Sequence, residues 1–129
     1  MTAKLISLML VIAGIIHVLP LAGVAGSERL AALYGLDFSD PNLAILMRHR
    51  AVLFGLLGVF LIYAAFRPSQ QPVAFVAGIV SASAFLALAW ATGGYNSLVA
   101  KVVAADVVAL VCLVIGAGTY MLTGPGTKL

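Results

Sequence analysis

The stretch that decides the fold is Asn42–Phe66, NLAILMRHRAVLFGLLGVFLIYAAF. It is apolar for longer than the ~20 residues that carry a helix across a bilayer, yet Arg48, His49 and Arg50 stand inside it. A charged side chain at the centre of a membrane helix costs at least ~2.5 kcal/mol. Three adjacent ionisable groups therefore need partners, a bound anion, or a place near the membrane surface. Arg48 lies 19 residues before Arg67, or ~28 Å at ~1.5 Å per residue. With a hydrocarbon core of ~30 Å, the triplet falls near the far boundary of the membrane and not at its midplane.

Composition agrees with a membrane chain. Only 9% of the 129 residues are charged and 64% are hydrophobic, where soluble domains carry about 25% charged residues. The mean hydropathy is +1.18. The net charge of +3 is spread over the flanks of apolar segments, which leaves no basic footprint for nucleic acid. Cys112 is the single cysteine, so no intrachain disulfide can form, and its apolar setting marks it as a packing residue.

Outward from the central stretch, three further apolar segments read as spans. Residues 5–25 form the first. They exceed the ~7–15-residue core of a signal peptide, and Pro20 is expected to bend them near His17 by removing a backbone donor. Ser27–Tyr34 reads as a short amphipathic helix at the membrane interface, with Ser27 as N-cap, Leu30, Leu33 and Tyr34 on its apolar face, and Gly35 as its stop. Asp40 and Pro41 then serve as N-cap and first residue of the second span, residues 41–66. Arg67–Pro72 is a tight turn, residues 73–92 the third span, Gly93–Ser97 a second turn, and residues 98–122 the fourth. The tail from Thr123 reads as loose. The expected fold is a single-domain, all-α, integral membrane four-helix bundle with one interfacial helix.

Helical spacing assigns faces. Arg48 lines up with Ala51, Gly55 and Gly58, a small-residue stripe that lets another helix approach, so Arg48 is expected to point inward. Arg50 lines up with Phe54, Leu57 and Leu61, which reads as a lipid face from which Arg50 snorkels. His49 falls between. His17 in span one and Asp106 in span four lie at similar depths in the same half of the membrane as the basic triplet. Ionisable residues inside a membrane are candidate functional groups with a partner to be named. The pairing expected is Arg48 with Asp106, with His17 near enough to relay a proton. The plainer alternatives are a structural ion pair between Arg48 and Asp106, interfacial anchoring by Arg50 and Lys101, and a hydrogen-bonded packing role for His17.

Four spans place both termini on one side. Basic residues divide almost evenly, with Lys4, Arg67 and Lys128 on the terminal side and Arg29, Arg48, Arg50 and Lys101 on the other. All four acidic residues lie on the second side, leaving the unpaired basic charge with the termini. The positive-inside rule counts only basic residues and does not decide between the two; the unpaired basic charge favours cytoplasmic termini in a bacterial inner membrane.

Several chemistries are unsupported. His17 and His49 differ in depth by ~10 Å from helical rise, which disfavours a shared haem. No HxxxH or ExxH spacing supports a metal site, and there is no phosphate-binding loop or CxxC. The run LYGLDFSDPNLAILMRHRAVLFGLLGVFLIYAAFRP (33–68), followed by AWATGGYNSLVAKVVAADVVAL, resembles a set of small four-helix bacterial membrane proteins that in turn resemble the DoxX-like group. The resemblance picks out Leu33-Tyr34-Gly35, Arg48, Arg50, Gly55 and Gly58. It implies a four-helix bundle and, for some members, association with quinone-linked oxidoreductase complexes.

Three functions follow from these readings. The first is an outer-leaflet pocket for a lipid, isoprenoid or quinone headgroup, held by Arg48, His49, His17, Asp106 and Arg50, with a place as an accessory subunit of a membrane redox complex as its extension. The second is an acid–base enzyme, isomerase-like, in which His17 and Asp106 are the catalytic pair. The third is a structural protein that dimerises through its Gly/Ala faces.

Overall fold

The computed structural model describes residues 1–124, and all its regular elements there are helical. Helix α1 spans Thr2–Val18 and continues as a 3-10 stretch, Leu19–Ala25. The amide of Leu19 still bonds the carbonyl of Ile15. Pro20 comes next and has no N–H to continue the pattern. The expected bend near His17 is thus a change of helix type just after it. Helix α2, Ser27–Tyr34, begins after Gly26 without a side-chain cap. Ser27 is its first helical residue and not the expected N-cap. Gly35 ends α2 in the left-handed conformation at φ 68°, where a Cβ would be strained.

Helix α3 spans Pro41–Ala65, and the Asp40 carboxylate caps it by accepting from the Asn42 amide at 2.9 Å. One 3-10 turn, Pro68–Gln70, leads into α4, Gln71–Thr92. Helix α5 spans Ser97–Thr123, capped by Asn96. It therefore includes Thr123, which the sequence reading gave to the tail. Residues 125–129, including Lys128 of the charge argument, lie outside the described residues. Four helical segments, Thr2–Ala25, Pro41–Ala65, Pro68–Thr92 and Ser97–Thr123, are long and apolar enough to cross a membrane.

The four long helices pack in a ring: α1 on α3 and α5, and α4 on the other sides of α3 and α5. Neighbours run antiparallel. At the terminal end, the Ser7 hydroxyl donates to the Ala65 carbonyl at 2.6 Å; at the opposite end, Arg48 reaches the Val24 carbonyl. Leu10, Ala13, Leu61, Ala74, Phe75 and Leu113 belong to the main core. Leu30, Tyr34 and Phe38 form a smaller one where α2 folds against the ring.

The stripe Ala51–Gly55–Gly58 is buried and packs on α1, as its small side chains allow. A Cβ on Gly58 would sit 2.6 Å from the Gly14 carbonyl oxygen. The opposite assignment fails. Leu61 is fully buried and lies beside Gly78 of α4, so the face shared by Arg50, Phe54, Leu57 and Leu61 is not lipid-facing. Leu53, Leu56 and Val59 are the exposed ones. A helix apolar on every side gives periodicity no polarity contrast to read.

Candidate functional site

The inward arginine is Arg50, and it is half-buried. Its guanidinium lies 4.6 Å from the Phe54 ring centre and 5.6 Å from those of Tyr34 and Phe85. Its Nη1 donates to the Tyr34 hydroxyl at 3.1 Å. Aromatic faces stabilise a cation by ~0.5–1 kcal/mol at exposed sites and more when water is excluded. These rings come from α2, α3 and α4, so three elements hold one side chain.

Arg48 and His49 are exposed. The Arg48 Nε donates to the Val24 carbonyl at 2.9 Å, and its long stem carries it off the small-residue stripe to the end of the 3-10 stretch. The expected Arg48–Asp106 pair does not form. Among the described residues no basic group comes within 4.0 Å of a carboxylate. The ionisable side chains near enough to bear on Asp106 are His17 and Arg50, both beyond ion-pair distance.

His17 is only 1% exposed. Its Nδ1 lies 2.8 Å from the Ala13 carbonyl, which can only accept, so Nδ1 carries hydrogen. The other ring nitrogen, Nε2, is buried without a hydrogen-bond partner. Leaving such an atom unsatisfied costs ~1–3 kcal/mol. The ring also lies 5.8 Å from Phe54, placing Phe54 beside both His17 and Arg50. Asp106, 6% exposed, presents a carboxylate that accepts no hydrogen bond from the described residues. His17, Asp106 and Arg50 thus form a loose polar cluster between α1, α3 and α5, with α2 above it.

Two clefts flank this cluster. One, of about 340 Å³, is bounded by Tyr34, Met47, Arg50, Phe85, Thr92 and Tyr95. The other, of about 280 Å³, is bounded by Leu19, Pro20, Tyr34, Lys101 and Asp106. Tyr34 and Val102 line both and form the wall between them. The volumes lie at the lower end of the range for small-molecule sites.

Sequence reasoning overlooked Asn96. Its Oδ1 accepts from the Val99 amide at 2.8 Å, while its Nδ2 donates to the Tyr34 carbonyl at 2.7 Å. One side chain caps α5 and ties α2 to it. Asparagine directly before an apolar helix is a recognisable capping signal, but the link to Tyr34 is long-range and leaves no local trace. Among the described residues, no three His, Cys, Asp or Glu side chains gather as a metal site. The chain matches no family model, no curated protein and no solved structure.

Proposed function

We propose that this chain is a multi-pass four-helix membrane bundle that binds the headgroup of a lipid, isoprenoid or quinone beneath α2. Arg50 lies 15 residues before Ala65, or ~22 Å by helical rise, within a core of ~30 Å. That depth suits a headgroup entering from the outer leaflet, with α2 lying in the interface and the termini in the cytoplasm. Arg50 takes the role that the sequence gave to Arg48, and Arg48 and His49 become interfacial residues. The resemblance to the DoxX-like group adds a place beside a quinone-linked redox complex.

The observation that carries this reading is the half-buried guanidinium of Arg50, ringed by Tyr34, Phe54 and Phe85 on the wall of a cleft of about 340 Å³ and, among the described residues, without a carboxylate within 4.0 Å. A cation kept in an apolar span without a protein counter-charge favours a partner from outside the fold. Mass spectrometry of the organic extract of protein purified in mild detergent tests it, beside Arg50→Ala. One stoichiometric amphiphile in the wild type, at least tenfold depleted in the variant, is expected. Bulk lipid alone in both samples would remove the pocket from the account.

A further inference from the structure

The two clefts differ in charge. Among the described residues, Arg50 is the only charged side chain lining the α4-side cleft. The α1-side cleft carries both signs, Asp106 and Lys101. Among the described residues, Arg50 makes one hydrogen bond, through Nη1 to Tyr34, and has no carboxylate within 4.0 Å. A guanidinium has five N–H donors in a flat fork, so most of its capacity remains unused in a site otherwise walled by Leu88, Met47 and Phe85. We infer that the α4-side cleft binds an amphiphile with an anionic oxygen head, carboxylate or phosphate, whose head pairs with Arg50 and whose apolar body leaves along α4. This deepens the headgroup reading above and rests on it.

Three features support that ligand class. Oxyanions match the guanidinium fork through paired hydrogen bonds. The stacked rings of Phe54, Phe85 and Tyr34 fix the orientation of the fork before a ligand arrives, which lowers the entropy lost on binding. Size also limits the occupant. At ~30 Å³ for each water-sized group, 340 Å³ takes a head and the first carbons of a chain, with the remainder lying in lipid. Leu88 of α4 lines the cleft and is exposed and apolar, as a surface bathed by acyl chains requires.

The test is a native mass spectrometry titration in detergent at mildly alkaline pH, with oleate, phosphatidylglycerol and oleyl alcohol as probes. The alcohol has the same chain as oleate and no charge. The wild type is expected to prefer at least one acidic probe over the alcohol by about tenfold or more, as a charge-assisted hydrogen bond predicts. Arg50→Lys should keep a preference, Arg50→Gln should erase it, and Lys101→Gln in the other cleft should leave it intact. Preference for oleate identifies a carboxylate amphiphile; preference for phosphatidylglycerol identifies a phosphodiester. Equal binding of acid and alcohol by the wild type overturns the inference and leaves the pocket standing, as does a preference that survives Arg50→Gln. Failure of every probe to bind overturns both.

Discussion

Gly58→Ala tests the tightest helix crossing in the fold. The added Cβ would stand 2.6 Å from both the Gly14 carbonyl oxygen and Val18 Cγ2, and 2.8 Å from the Val18 amide nitrogen, where ordinary contact is 3.4–4 Å. Two of these three atoms belong to the α1 backbone and cannot rotate away, so α1 must shift by roughly 1 Å to regain ordinary separation. Overpacking of this kind costs ~1–3 kcal/mol. Alanine returns ~0.8–1.0 kcal/mol through its better helix propensity. The net expectation is a destabilisation of up to ~2 kcal/mol, or as much as roughly 30-fold in the folded-to-unfolded ratio, and a stability ~1–3 kcal/mol below that of a glycine-to-alanine change in open space. Gly118→Ala supplies the control, because its Cβ would meet nothing within 4 Å and so carries the propensity gain alone. Both can be followed by reversible unfolding in mixed micelles with increasing dodecyl sulfate. Gly58→Ala as stable as Gly118→Ala would refute the close α1–α3 packing.

Further predictions address other elements. Asn96→Ala removes a helix cap and the bond to Tyr34, and in the same unfolding assay should cost ~1.5–2.5 kcal/mol; a loss under ~0.5 kcal/mol would show that α2 is held by its apolar face alone. Arg48→Ala gives up one exposed bond to Val24 and should cost less than ~1 kcal/mol, whereas a larger loss would argue for a buried role. In a Cys112→Ala background, Ser39→Cys and Ser69→Cys should react with an impermeant maleimide from opposite faces of the membrane. Labelling of both from one face would contradict a span between them.

The sequence made the helices legible because their ends carry local chemistry. Asp40 before Pro41 marked the start of α3, Gly35 marked the end of α2, and apolar length marked the four long segments. Gly55 and Gly58 marked the face that meets α1. The site was less legible. The three residues Arg48, His49 and Arg50 point in three directions about 100° apart, and α3 is apolar on all of them, so no contrast told which direction was inward. Small residues pointed to a close helix contact, which the structure gives to α1, and the arginine on their edge was read as inward with them. The cluster is instead assembled on the aromatic edge, where Phe54 meets His17 and Arg50 and where Tyr34 and Phe85 arrive from other helices. Those contacts join residues far apart in the chain, and no periodicity records them. His17 and Asp106 could be found from sequence because an ionisable residue in an apolar span is conspicuous by itself. Their third companion depended on packing.

The measurement that tests the account most directly compares Arg48→Ala with Arg50→Ala for the amphiphile that co-purifies in mild detergent, quantified by mass spectrometry against protein. The account predicts that Arg48→Ala retains it at wild-type stoichiometry and that Arg50→Ala loses it, with both variants still eluting as folded protein. Loss in Arg48→Ala with retention in Arg50→Ala would contradict the assignment of Arg50 as the arginine that faces the site.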